Sequence, residues 1–221
     1  MKSCWLNNQN NENLIVFFAG WSFDEKPFKF LQCNDFDVLF VYDYNDFKLP
    51  EELKNIKNYK HKYLITWSMG VFVAYLLKEK LPEFKEKIAI NGTPFPVDNE
   101  KGIPIKTFDL TLKYVDTGLQ GKFQRNLFKT EEEFQKYLQN PVAREIPNQA
   151  SELVSLKKLI DKTDVDYKKY YNRAIISNTD KIIPTRNQHN CWDNVCPVVV
   201  LNSGHFPFYD FESWNDILKC R

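Results

Sequence analysis

The sequence predicts a compact α/β fold: a mostly parallel central sheet, helices on both of its faces, and one helical insertion. Three observations lead there. Short apolar runs recur along the chain, at Leu14–Ala19, Val38–Tyr42, Tyr63–Thr66, Ile88–Ile90, Ala174–Ile176 and Val198–Leu201. They do not alternate strictly with polar residues, which is how parallel strands covered on both faces read. Helical stretches such as Met69–Leu81 and Phe211–Lys219 lie among them, and alternation of strand and helix builds a parallel sheet. From about Pro94 to Tyr170 the rhythm stops, and charged amphipathic segments such as Thr130–Gln139 and Ser151–Ile160 take its place. A structureless loop of that length is improbable in a compact domain. Residues 94–170 are therefore expected to form a helical lid inserted into a single domain spanning 1–221.

Composition sets the outer limits. Hydrophobic residues at 43% and charged residues at 27% belong to an ordinary globular chain, and a net charge of +1 gives no whole-chain attraction to nucleic acid or membrane. The start, Met1-Lys2-Ser3-Cys4-Trp5 followed by the polar run Asn7–Asn13, has no apolar leader. No run approaches the roughly 18 apolar residues of a membrane span. The five cysteines have no framework spacing, so a reducing cytoplasm is expected. His189, Cys191 and Cys196 lack a convincing fourth ligand. No metal or cofactor is expected, nor a nucleic-acid or membrane partner, and the chain is expected to be a monomer.

The strongest chemical signal is Tyr63-Leu64-Ile65-Thr66-Trp67-Ser68-Met69-Gly70-Val71. A buried strand ends, a serine follows, and an apolar helix begins at once. That is the context of a nucleophile elbow, in which a sharp turn lifts the serine oxygen out of the sheet. Gly70 supplies a small residue two positions after Ser68; Thr66 stands where glycine is usual two positions before. The competing reading of Ser68 is a helix N-cap, a position serine favours.

An activated serine needs a base, and the chain has three histidines. His61 lies before the nucleophile strand, at its wrong end. His189 lies in the polar stretch Thr185–Asn194. His205 follows the strand Val198–Leu201, in Asn202-Ser203-Gly204-His205-Phe206-Pro207, and is the candidate base. The acid should lie between serine and histidine in the chain order of α/β-hydrolases. Asp180, in Ser177-Asn178-Thr179-Asp180 after the strand Ala174–Ile176, is the first candidate, although the same residues make a good turn. Asp98 is the alternative, and Asp43 precedes the serine and fits the order badly. An oxyanion hole needs backbone donors. These are assigned to the amide of Met69, after the serine, and to that of Trp21, after the first strand in Ala19-Gly20-Trp21. An α/β-hydrolase fold is the expectation.

Phe108, Tyr114, Phe123 and Phe128 are candidates for an apolar channel under the lid, or for the lid's own core. Between Lys106 and Lys129 the basic residues Lys106, Lys113, Lys122, Arg125 and Lys129 outnumber Asp109 and Asp116. Lys122, Arg125 and Lys129, with Phe123, are the candidate contacts to an acidic partner; a solvated charged face is the plainer alternative.

Several segments together resemble a known family. Phe17-Phe18-Ala19-Gly20-Trp21, Val41-Tyr42-Asp43-Tyr44, Trp67-Ser68-Met69-Gly70-Val71, Ala89-Ile90-Asn91-Gly92-Thr93-Pro94, Gly102-Ile103-Pro104 and the stretch from Phe123 to Arg125 are similar to the BioG-type pimeloyl-[acyl-carrier protein] methyl ester esterases. The likeness runs from about Leu14 to Arg125 and resumes around Asp180 and His205. It implies a Ser68, Asp180, His205 triad and hydrolysis of the methyl ester of pimeloyl-acyl-carrier protein in biotin synthesis, with that carrier protein as partner. Thr66 suits this family better than it suits a generic lipase. A different serine acyl hydrolase, a thioesterase or a short-chain carboxylesterase, is the alternative activity. A hydrolase fold that only binds a ligand is the non-enzymatic one.

Overall fold

The computed structural model describes residues 1–117, 120–167 and 169–221. Within the expected lid, residues 118, 119 and 168 lie outside the described set. The strands are β1 (Lys2–Asn7), β2 (Asn13–Phe18), β3 (Phe36–Tyr42), β4 (His61–Trp67), β5 (Glu86–Ile90), β6 (Arg173–Ser177) and β7 (Val198–Leu201). The helices are α1 (Glu51–Lys54), α2 (Met69–Leu76), α3 (Ile105–Tyr114), α4 (Gln120–Asn126), α5 (Glu131–Gln139), α6 (Ile146–Lys162), α7 (Thr185–Trp192) and α8 (Trp214–Lys219).

The seven strands form one sheet in the order β1-β3-β2-β4-β5-β6-β7. β1 runs antiparallel to β3, and every other pairing is parallel. This is the α/β-hydrolase arrangement. The apolar runs became β2 to β7. β1 was not expected. It is a half-buried edge strand whose Ser3, Cys4 and Trp5 pair with β3, so it lacks the continuous apolar run of a central strand, and the polar residues after it form the turn into β2.

Side chains point alternately to opposite faces of a sheet, and at β5 and β6 the core divides accordingly. Ile88, Ile90 and Ile175 join one apolar cluster, with Trp214 and Ile217 of α8; Ala89, Ala174 and Ile176 join the other, with Val71 and Tyr75 of α2 and Trp192 of α7. Many of the phenylalanines fill the first face. Phe17 packs at ring-centroid distances of 5.2 Å from Phe28 and from Phe40, and 4.9 Å from Trp214. Each such fully buried ring contributes about 1.5–3 kcal/mol of transfer free energy.

Helix ends follow local chemistry. α2 stops at Leu76 rather than Leu81, because Lys78–Lys80 tightens into a 3-10 turn and Pro82 holds Leu81 extended. α8 begins at Trp214 rather than Phe211. Ser213 caps it, accepting from the Asp216 amide while Asp216 accepts from the Ser213 amide. Thr130 and Glu133 form the same reciprocal cap on α5. α6 starts before the expected Ser151, with Pro147 in its first turn, a position proline tolerates. Among the described residues, the helices α3 to α6 occupy the interval between β5 and β6.

The parallel register aligns the strand ends. Phe18 lies opposite Thr66, Trp67 opposite Ile90, and Ser177 opposite Leu201. The segments bearing Trp21, Ser68, Asn91, Asp180 and His205 therefore leave one edge of the sheet together. Among the described residues, no helix is long and apolar enough to cross a membrane.

Candidate active site

At the end of β4 the chain turns so sharply that Ser68 sits at φ 55°, ψ −124°. A residue with a side chain is rare there, at a cost of about 1–3 kcal/mol that the surroundings must offset. Neighbouring strands hold the turn. Ser68 N donates to Ile90 O at 3.0 Å, and Val71 N donates to Ser68 O at 3.0 Å. Two glycines allow the close approach. A Cβ on Gly70 would lie 2.3 Å from Phe18 O, and one on Gly92 would lie 2.5 Å from Ser68 O. Thr66 needs no such smallness, because its hydroxyl turns to the next strand and donates to Ile88 O at 3.0 Å. The Ser68 side chain makes no cap bond to α2, so helix capping does not account for this serine.

Ser68 Oγ instead lies 2.9 Å from His205 Nε2. His205 is 2% exposed, on the loop after β7. Its main chain is pinned from beneath: its carbonyl accepts from Trp67 Nε1 at 2.8 Å and from Asn91 Nδ2 at 3.0 Å. His205 Nδ1 lies 2.8 Å from Asp180 Oδ2. A carboxylate only accepts, so Nδ1 carries the proton and Nε2 is left to accept from Ser68. Asp180 Oδ1 accepts from the amides of Ile182 at 2.8 Å and Ile183 at 3.0 Å, and Oδ2 also accepts from Gln188 Nε2 at 2.9 Å. Asp98 is used elsewhere, its Oδ1 accepting from the amides of Glu100 and Lys101 in a turn before α3. Asp43 pairs with Lys2 and Arg144. His61 opens β4, and His189 faces Asp193 on the exposed side of α7.

Two residues of this network had no role in the sequence reading. Gln188 lies eight positions after Asp180, in a polar stretch with no visible periodicity, and only the return of α7 beneath Asp180 reveals it. Asn91 at φ 39° ends β5; its amide also donates to Ser177 Oγ at 2.8 Å and accepts from Ser177 N at 2.7 Å. Asn-Gly just after a strand reads as a turn, and that signal hid a buried bridge between the acid strand and the histidine loop.

Above Ser68 lies a cavity of about 290 Å³, lined by Gly20, Trp21, Ser68, Met69 and His205 at its floor and by Ile103, Phe108, Leu110, Phe123, Leu127, Leu153 and Ile182 on its walls. Among the described residues, no acceptor takes the main-chain N–H of Trp21 or of Met69, and both residues line the cavity. Two of the four aromatic channel candidates belong elsewhere. Phe128 is fully buried against Phe206 and Tyr137, centroids 5.4 and 5.1 Å away, and is core. Tyr114 is 41% exposed, outside the cavity. Phe123 meets the Trp21 ring edge-on at 5.1 Å.

Of the basic candidates, Lys122 lines the cavity, as does Lys181. Arg125 Nε pairs with Glu131 at 2.7 Å and Nη1 donates to Phe128 O at 3.2 Å, while Lys129 Nζ donates to Asn202 O at 3.0 Å. Among the described residues no three His, Cys, Asp or Glu side chains converge as metal ligands. Burial pushes the Cys191 thiol up to about 12 and the Cys196 thiol to about 11.

A family profile described as "Pimeloyl-ACP methyl esterase BioG" matches residues 1–217. The crystal structure of BioG from Haemophilus influenzae superposes with a TM-score of 0.88 at 32% identity, covering 98% of this chain and 99% of that one. A protein of Bacteroides fragilis named malonyl-[acyl-carrier protein] O-methyltransferase is 34% identical over 187 residues, 82% of this chain. The chain spans 37% of that relative's length. A lipase-esterase related protein from Clostridium acetobutylicum shares the fold at 14% identity, covering 100% of this chain and 99% of that one, with a TM-score of 0.65.

Proposed function

The chain belongs to the BioG family of pimeloyl-ACP methyl esterases, and on that premise we propose that it hydrolyses the methyl ester of pimeloyl-acyl-carrier protein through a serine acyl-enzyme. The observation that carries this reading is the hydrogen-bonded line from Ser68 through His205 to Asp180, lying beneath an apolar cavity with two unpaired amides.

His205 Nε2 takes the Ser68 proton as Oγ attacks the ester carbonyl. The carbonyl oxygen becomes an oxyanion, which the Trp21 and Met69 amides receive. Asp180 keeps the imidazole in the right tautomer and offsets its positive charge. The tetrahedral intermediate collapses, the C–O bond to methoxide breaks, and His205 returns its proton so that methanol leaves. Water, deprotonated by His205, then attacks the acyl-enzyme; its oxygen joins the free carboxylate and Ser68 regains its proton. The pimeloyl chain lies along Ile103, Phe108 and Phe123, with the carrier arm outside. Residues 94–170 act as the lid, in a single domain spanning 1–221. The enzyme works as a monomer in the cytoplasm, where its five free cysteines stay reduced. A methyltransferase acting on malonyl-ACP, the activity for which the B. fragilis relative is named, would make the kind of ester that this reaction removes.

A fluorophosphonate tests the nucleophile, because only an activated serine reacts quickly. One label per chain, mapping to the Ser68 peptide and absent from Ser68→Ala, is the expected outcome. Label on another serine would displace Ser68 from the mechanism.

The carrier contact divides the basic residues. Lys122→Glu should raise KM for the carrier-linked substrate on the order of tenfold and blunt its salt dependence, with a far smaller effect on p-nitrophenyl acetate. Arg125→Glu, which sets two carboxylates together beside Glu131, should lower the melting temperature. Equal losses on both substrates in Lys122→Glu would assign that lysine to structure.

A further inference from the structure

The loop that bears Trp21 leaves β2, and beyond Ala19 no main-chain hydrogen bond described ties it to the sheet, although Phe23 packs edge-on against Trp67 of β4 at 4.7 Å. Its last main-chain tie to the sheet is Ala19, whose amide donates to Val41 O at 2.9 Å. The next four anchors all come from the segment entering and forming α6. Trp21 Nε1 donates to Gln149 O at 2.8 Å. Ser22 N donates to Glu152 Oε2 at 3.1 Å. Phe23 O accepts from Arg144 Nη1 at 3.3 Å. Asp24 Oδ2 accepts from Ala143 N at 2.6 Å. Four consecutive residues of the loop are thus fastened to residues 143–152 of the insertion.

Glu152 is the centre of this fastening. It is 0% exposed, and both oxygens are used: Oε1 accepts from Tyr44 N at 2.8 Å, and Oε2 accepts from Ser22 N and from Arg144 Nη1 at 2.7 Å. Arg144 is fixed in turn by Asn148 Oδ1, at 2.9 Å from Nε and 2.7 Å from Nη2, with Asp43 Oδ1 3.4 Å from Nη2. Burial raises the Glu152 carboxyl above its ordinary range, while Arg144 and the two amides pull it back. The two loops that Glu152 bridges both contain strained residues, Ser22 at φ 72° and Asp43 at φ 57°.

A buried ion pair is a poor way to gain stability, since apolar side chains of the same volume do as well or better. A carboxylate supplies something an apolar group does not: two fixed acceptors that decide which amides of the loop are taken. Glu152 takes the amide of Ser22. The amide one residue earlier, that of Trp21, is left without an acceptor among the described residues, beside the cavity.

We infer that Glu152, locked by Arg144, is a positioning residue that sets the Trp21 amide at the oxyanion's place, so that the insertion completes the oxyanion hole. This rests on the esterase chemistry proposed above. The oxyanion exists only in the transition state and the intermediates, so a misplaced donor slows acylation and leaves ground-state binding alone.

The test compares unaltered protein, Glu152→Gln and Trp21→Phe in acylation by p-nitrophenyl butyrate. It also measures binding of a trifluoromethyl ketone, whose adduct with serine carries an oxyanion, and records a thermal melt of each protein. Glu152→Gln keeps the volume but loses one acceptor. Its kcat should fall roughly 10²-fold with KM within about threefold, and the ketone should bind weaker by a similar factor. Trp21→Phe keeps the main-chain amide and one aromatic ring but removes the rest of the indole, and with its N–H the Gln149 anchor; its kcat should fall about tenfold. Folded Glu152→Gln with kcat and ketone affinity within about twofold of the unaltered protein would overturn the inference. Should Glu152→Gln fail to fold, Trp21→Phe decides, and an unchanged kcat overturns it. Absence of turnover in the unaltered protein would overturn the esterase reading and this inference with it.

Discussion

Alanine at Ser68 should lower ester hydrolysis by on the order of 10⁴- to 10⁶-fold while the protein stays folded. The loss is large because the oxygen that bonds to the acyl group is gone, and no other hydroxyl reaches His205 Nε2 among the hydrogen bonds described. The fold survives because the turn is held by main-chain bonds, from Ser68 N to Ile90 O and from Val71 N to Ser68 O, which alanine keeps. Glycine at the same position makes a sharper control. It adopts φ 55° without the Cβ penalty, so Ser68→Gly should be equally inactive and melt a few degrees higher. An inactive Ser68→Ala whose melting temperature collapsed would mean that the serine holds the fold instead. Steady-state rates and thermal melts on the same preparations separate the two.

His205→Ala should lose activity on the same scale, on the order of 10⁴-fold, whereas His61→Ala and His189→Ala should stay near the unaltered rate. The structure explains why the deletion is selective for chemistry. The two donors that pin the histidine loop, Trp67 Nε1 and Asn91 Nδ2, bond to the main-chain oxygen of residue 205, which any residue supplies. Asp180 keeps three donors after the imidazole is gone, the amides of Ile182 and Ile183 and the Gln188 side chain. It is therefore not left as an orphaned buried charge, the usual cause of a large stability loss. Among the described residues, the His189 side chain bonds only to Asp193, at 3.0 Å on an exposed helix face. If His189→Ala were the inactive variant, the base would be misassigned.

The central strands were legible because burial on both faces writes itself as an unbroken apolar run, and Leu14 to Phe18 are all fully buried. β1 left no such mark, because an edge strand needs only half of its residues apolar. Ser68, Asp180 and His205 were legible by position, each a polar residue just past an apolar run. Parallel strands deliver such positions to one edge, whatever lies between them in the chain. Gln188, Asn91 and the pair Arg144 and Glu152 were not legible. Their meaning lies in contacts with residues far away in sequence, such as Glu152 with Ser22 and Tyr44, and a glutamate in an amphipathic stretch reads as solvated surface. Phe128 and Tyr114 show the same limit from the other side. Helical spacing gives an apolar face, but whether that face meets a cavity, the core or solvent depends on how the helices pack.

The most direct measurement is the intact mass of methyl pimeloyl-acyl-carrier protein after incubation with the enzyme, run beside Ser68→Ala. The carrier protein should lose one methyl group, with methanol released and the thioester intact, and Ser68→Ala should leave the mass unchanged. Carrier protein stripped of its whole acyl chain would make the enzyme a thioesterase, and unchanged mass with the unaltered enzyme would contradict the proposed reaction altogether.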